Sequence, residues 1–155
     1  MIENAKRYTV ITGASSGIGC ETAKAFAGHG SNLILTARRK DKLETLRQEI
    51  LTFYPTLDVV VQAADLSVPQ NVFRLYEDVK SYPLQTWINN AGFGNYDSVS
   101  RQDLGKISQM LHLNVEALTI LSSLFVRDFK NTEKAQLINV SSCGCYTIVP
   151  ETVSL

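Results

Sequence analysis

Three features of this sequence predict an α/β fold built on a doubly wound parallel sheet. Five short runs alternate with four helix-forming segments, each run is continuously apolar as strands covered on both faces are, and a glycine-rich turn joins the first run to the first helix. With 155 residues the chain has room for one domain that buries roughly two thirds of its unfolded surface, so a single unit over 1–155 is expected.

The first strand is the β-branched run Tyr8 to Thr12, and the helix after its turn covers Ile18 to Ala27. Asn32 to Thr36 forms the second strand, followed by a charged amphipathic helix from Asp41 to Phe53 that Pro55 stops. Leu57 to Ala63 is the third strand and Pro69 to Lys80 the third helix. Gln85 to Asn89 makes the fourth strand, a glycine-bearing loop follows, then a long helix between Arg101 and Lys130, and Gln136 to Val140 gives the fifth strand. On the long helix Ile107, Met110/Leu111, Val115, Leu118 and Leu121/Phe125 form one apolar stripe, and Leu113, Ala117, Ile120 and Leu124 a second. One stripe suffices to cover a sheet, so the second predicts another burial surface, either more of the domain or a partner subunit.

Composition narrows the partners. Fifteen Lys and Arg balance fifteen Asp and Glu and lie scattered along the chain, so the electrostatic footprint of a nucleic-acid binder is absent. Met1 to Arg7 carries charge without an apolar segment, and no run approaches the roughly 18 apolar residues of a membrane span, so a cytoplasmic protein without a membrane partner is expected. Cys20, Cys143 and Cys145 are odd in number and poorly spaced for disulfides. Cys143-Gly144-Cys145 lacks the spacing and the second ligand pair of a zinc site, and His29 and His112 lie far apart, so no metal is expected.

The chemistry sits at the strand ends. Gly13, Gly17 and Gly19, spaced Gly-x-x-x-Gly-x-Gly between a strand and a helix, let phosphate approach backbone N–H groups at a helix N-terminus, and Ser15 and Ser16 add hydroxyls. At the end of the second strand, where an NAD-binding site carries an acid for the ribose hydroxyls, this chain has Thr36-Ala37-Arg38-Arg39. A guanidinium binds a 2′-phosphate bidentately, which favours NADP(H), with Arg38 as the principal residue and Arg39 or Lys40 assisting; the alternative is a solvated basic start to the next helix. Asp65-Leu66 follows the third strand and Asn89-Asn90-Ala91-Gly92 the fourth. Asn114 is a polar residue on an otherwise apolar stretch of helix and needs partners if buried.

Taken together, Thr12 to Gly19, Asn89 to Gly92, Asn114 and Asn139-Val140-Ser141-Ser142 resemble the short-chain dehydrogenase/reductase family from Arg7 to the last residue. The resemblance implies a Rossmann-type doubly wound sheet of order 3-2-1-4-5, cut before its last strands, because Leu155 ends the chain ahead of the family's Tyr-x-x-x-Lys. By resemblance the cofactor residues are Gly13, Ser15, Ser16, Gly17, Ile18, Gly19, Arg38, Arg39, Asp65 near the adenine amino group, Leu66, Asn90, Ala91 and Gly92. Two catalytic residues carry over: Ser142, which in the family hydrogen-bonds the substrate carbonyl, and Asn114, which bends its helix and holds a water of a proton relay, with an amide satisfied by backbone as the alternative. Tyr146 stands too close after Ser142, and Pro150 occupies the place of its Lys. The implied activity is NADP(H)-dependent hydride transfer to a small carbonyl compound or from an alcohol, by a homo-oligomer paired through the 101–130 helix. These residues alone are expected to be inactive and to leave the fifth strand as an open edge. A non-catalytic NADP(H)-binding or sensing protein and a nonfunctional truncated product are the alternatives.

Overall fold

The computed structural model describes residues 6–94 and 99–142. The elements run β1 (Tyr8–Thr12), α1 (Gly17–Gly28), β2 (Asn32–Ala37), α2 (Lys40–Phe53), β3 (Val59–Ala63), α3 (Pro69–Val79), β4 (Leu84–Asn89), a 3-10 turn (Val99–Arg101), α4 (Leu104–Leu111), a π-helical turn (His112–Ala117), α5 (Leu118–Phe129) and β5 (Gln136–Asn139). The strands form one sheet in the order β3-β2-β1-β4-β5, and every neighbouring pair is parallel. This is the doubly wound order the sequence predicts. β3 starts later than expected because Leu57 belongs to a turn, donating its N–H to Tyr54 O at 3.2 Å.

Alternate residues of the central strands feed two cores. Ile11, Leu33, Leu35 and Ile88 pack with Ala23 and Ala27 of α1 and Leu43, Leu46 and Ile50 of α2. On the other face Val10, Ile34, Leu84 and Trp87 pack with Val72, Leu75, Tyr76 and Val79 of α3 and with Leu113, Ala117, Leu121 and Phe125. Two covered faces explain why the strands read as continuous apolar runs. Among the described residues β5 pairs with β4 alone and is mostly exposed, with Ile138 at 38 %.

The stripes expected on the long helix regroup. Leu113, Ala117, Leu121 and Phe125 are buried together and Met110 is buried as well, whereas Leu111 and Val115, assigned to the same stripe as Met110 and Leu121, are 42 % and 49 % exposed. The π turn is the cause, because its wider i→i+5 bonding rotates the helix face by about one residue and joins the front half of one stripe to the back half of the other. The run Leu104–Phe129 is 26 residues long and contains an 18-residue stretch with a mean hydropathy of 1.2. By length and composition it could cross a membrane, contrary to the expectation that no segment approaches one, but here its buried side chains lie on the sheet.

Candidate functional site

Because the strands are parallel, their C-terminal ends share one edge of the sheet, and the segments leaving them enclose a cleft of about 140 Å³. Its walls are Gly13, Ser15 and Ser16 after β1, Ala37 at the end of β2 with Arg38 and Arg39 after it, Ala64, Asp65 and Leu66 after β3, Ala91 and Gly92 after β4, and Leu113 from the π turn. Open α/β sheets bind ligands at this edge. Gly17, Ile18, Gly19 and Asn90, also singled out in the sequence, do not form part of the lining. Ala37, Ala64 and Leu113 were missed as wall residues; small side chains at the C-terminal ends of β2 and β3 were the available signal for the two alanines.

The three glycines do different work. A Cβ on Gly13 would lie 2.8 Å from Ala91 Cα, and one on Gly19 would lie 2.5 Å from both Asn90 Nδ2 and Gly13 O. Both are therefore required by the close crossing of the β1 and β4 turns. Gly17, at φ +57°, has open space within 4 Å, so the approach of a phosphate expected for all three glycines is available at Gly17. Asn90 secures the crossing from the other side, its amide donating to Thr12 O at 3.0 Å and Gly13 O at 3.3 Å. The backbone N–H groups of Asn90 and Ala91 both donate to Thr12 Oγ1 at 2.9 Å. The Asn90 side chain thus faces the glycine turn.

Across the cleft Arg39 Nη2 donates to Ser15 Oγ at 3.1 Å and Ser16 Oγ at 3.0 Å. Among the described residues neither Arg38 nor Arg39 has a carboxylate partner. Asp65 Oδ1 accepts from Ser67 N at 3.0 Å and Ser67 Oγ at 2.7 Å, a local turn that fixes the carboxylate at the wall.

The end of β5 is held by a polar chain. Trp87 Nε1 donates to Asn89 Oδ1 at 2.9 Å, and Asn89 Nδ2 donates to Ser122 Oγ at 3.0 Å and Asn139 Oδ1 at 2.9 Å. Val140 N donates to Asn89 O at 2.9 Å, and Ser141 and Ser142 leave the strand exposed at the same sheet edge. Asn114, in the π turn, grips the loop after β4: Oδ1 accepts from Phe93 N at 3.1 Å and Nδ2 donates to Phe93 O at 2.9 Å. Its side chain thus bonds the backbone of Phe93, and the helix departs from α geometry at this residue. Cys143, Cys145 and Tyr146 lie outside the described residues. No group of three or more His, Cys, Asp or Glu able to hold a metal occurs among the described residues.

One spacing passed over in the sequence is Tyr76-Glu77-Asp78-Val79-Lys80, a bare Tyr-x-x-x-Lys. Tyr76 is fully buried, its hydroxyl bonded to Leu124 O at 2.9 Å and Asp128 Oδ2 at 2.8 Å, and Lys80 pairs with Glu77 at 2.6 Å. Burial first, then the Asp128 hydrogen bond and charge, push the phenol well above its ordinary range. This pair ties α3 to α5 and does not reach the cleft.

The cleft and the Gly17 turn beside it fit a dinucleotide: open backbone at Gly17 where a helix begins, guanidinium groups with no carboxylate partner among the described residues, and a fixed carboxylate at the third strand end. Comparison with known proteins agrees. The sequence is similar to rat (Rattus norvegicus) sepiapterin reductase, 34% identical over 147 residues, which cover 86% of this chain and 56% of that protein. It is also similar to dehydrogenase/reductase SDR family member 11 of Gallus gallus, 27% identical over 151 residues, covering 95% of this chain and 59% of the relative. The fold is similar to a short-chain dehydrogenase from Sphingobium yanoikuyae in complex with NADPH, with a TM-score of 0.85, 29% identity, and coverage of 90% of this chain and 55% of that one. The chain thus spans about half the length of the relatives it matches. The family model for short chain dehydrogenase matches residues 7–153, and with this sheet order and cleft the chain belongs to the short-chain dehydrogenase family.

Proposed function

We propose that this chain is the cofactor-binding part of an NADP(H)-dependent oxidoreductase that interconverts a small carbonyl compound and its alcohol. The preference for NADP(H) rests on one observation: Arg38 and Arg39 line the cleft after β2 with no carboxylate partner among the described residues, and Thr36 and Ala37 supply no acid there for the ribose hydroxyls. NADPH in the similar Sphingobium structure supports the same reading. When bound, the nicotinamide supplies or accepts a hydride. The chain's own residues bind and orient: Arg38 takes the 2′-phosphate, the turn at Gly17 and the α1 N-terminus take the pyrophosphate, Asp65 takes the adenine amino group, and Ala91 and Gly92 leave room for the ribose. Asn114 fixes the loop behind the ribose through Phe93, and Ser142 donates a hydrogen bond to the substrate carbonyl. Tyr76 is buried away from the cleft, so no proton donor is assigned and turnover is not expected of these 155 residues alone. The outward Leu111, Val115 and Val126 support pairing of two copies through the α4–α5 helix.

Trp87 is the chain's single tryptophan and lies two residues before Asn89, so energy transfer from it to a reduced nicotinamide reports binding. Titration with NADPH should give a Kd on the order of micromolar, and NADH should bind at least about tenfold more weakly. Equal affinities would overturn the NADP(H) preference, and no binding of either would overturn the cofactor reading.

A further inference from the structure

Helix α1 begins without the cap its sequence offers. Ser16 is the N-cap residue in extended conformation (φ −171°, ψ 169°), the position from which a serine hydroxyl ordinarily accepts the N–H two or three residues on, here Ile18 or Gly19. It makes no such bond. The backbone is in place, since Cys20 N donates to Ser16 O at 3.5 Å, but the hydroxyl is turned across the cleft to Arg39 Nη2 at 3.0 Å. Ser15 is held by the same nitrogen at 3.1 Å. An anion at a helix N-terminus needs these N–H groups, so a capping hydroxyl competes with it directly.

Resting on the nucleotide-binding reading above, we propose that Arg39 is a positioning residue for the cofactor pyrophosphate: by holding the Ser16 hydroxyl against the opposite wall, it keeps the N–H groups of Ile18 and Gly19 available to the ligand. Arg38 bonds neither serine and has no part in this. The two adjacent arginines therefore differ in kind. Arg38 distinguishes nucleotides with and without a 2′-phosphate, whereas Arg39 matters to both.

The test has two arms, both on the full 155-residue chain. In the first, amide hydrogen exchange is followed by NMR without nucleotide. Arg39→Ala frees Ser16 to cap, so exchange at Ile18 or Gly19 should slow about fivefold, the effect of a cap of ordinary strength. Arg38→Ala should not slow it, and Arg39→Ala combined with Ser16→Ala should abolish the slowing. In the second arm, Arg39→Ala should weaken NADH, which has no 2′-phosphate, by about fivefold, and should change NADH affinity by less than about twofold in the Ser16→Ala background. Unchanged exchange in Arg39→Ala, or an equal loss of NADH affinity in both backgrounds, overturns the proposal; the latter would mean that Arg39 touches the dinucleotide itself. A wild-type chain that binds neither nucleotide overturns the parent reading and the pyrophosphate role with it, while the exchange arm still decides whether Arg39 restrains Ser16.

Discussion

Gly19→Ala should unfold the crossing of the two turns, and its cost can be worked from the contacts. The new methyl would sit 2.5 Å from Asn90 Nδ2 and 2.5 Å from Gly13 O, and the second of these is backbone that cannot rotate away. Relieving such an overlap costs about 1–3 kcal/mol. Displacing the Asn90 amide also breaks its bonds to Thr12 O and Gly13 O, each worth about 1 kcal/mol. Alanine returns about 1 kcal/mol of helix propensity, leaving a net loss of about 2–4 kcal/mol. Urea unfolding followed by circular dichroism should show this as a lower midpoint at unchanged slope, with a fall in Tm of about 4–16 °C for a chain of this length. Gly17→Ala provides the contrast: its φ of +57° costs an alanine about 1–2 kcal/mol without any clash, yet it occupies the open space offered to phosphate. Gly17→Ala should therefore lose NADPH binding for a smaller loss of stability. A Gly19→Ala protein within about 0.5 kcal/mol of wild type would refute the reasoning, because the overlap would then be absorbed by movements the packing is argued to forbid.

Further outcomes follow from named contacts. Trp87→Phe keeps a ring in the core but removes the donor to buried Asn89 Oδ1, so it should cost about 1–3 kcal/mol in urea unfolding and speed amide exchange at Val140, which bonds Asn89 O. Tyr76→Phe should lower stability by about 1–3 kcal/mol through its lost bonds to Leu124 O and Asp128 while leaving the NADPH Kd unchanged; a lost Kd would reinstate Tyr76 as a site residue. Arg127 first, and then the Tyr76 hydroxyl, hold the Asp128 carboxyl down to about 2 from its ordinary 3.8. A folded-state value below the unfolded one contributes stability that is full above about 4 and lost as pH falls toward about 2, so the acid fall in urea midpoint should flatten in Asp128→Asn.

Strand and helix positions were legible because each carries a local signal. β1 and β2 are continuous apolar runs, Pro55 follows the end of α2, and the glycine spacing marks the first turn. Less legible were features that depend on where chains cross. That Gly13 and Gly19 answer to Asn90 and Ala91 is a contact across more than seventy residues, invisible in a spacing that suits phosphate equally well. The π turn leaves no mark on composition, so Leu111 and Val115 were grouped with side chains that turn out to be buried. Arg38 and Arg39 are alike in sequence, and only the position of Ser15 and Ser16 across the cleft separates them. Likewise the bare Tyr-x-x-x-Lys at Tyr76 is dismissed by burial, which the spacing does not encode.

The most direct test of the account is to map NADPH on the isotope-labelled chain by NMR. The predicted result is that the largest amide shifts fall on Gly17 to Gly19, Arg38 and Arg39, Asp65 and Leu66, and Ala91 and Gly92, four stretches far apart in sequence that meet at one sheet edge. Shifts confined to another surface, or none at saturating NADPH, would contradict the claim that this cleft is a dinucleotide site.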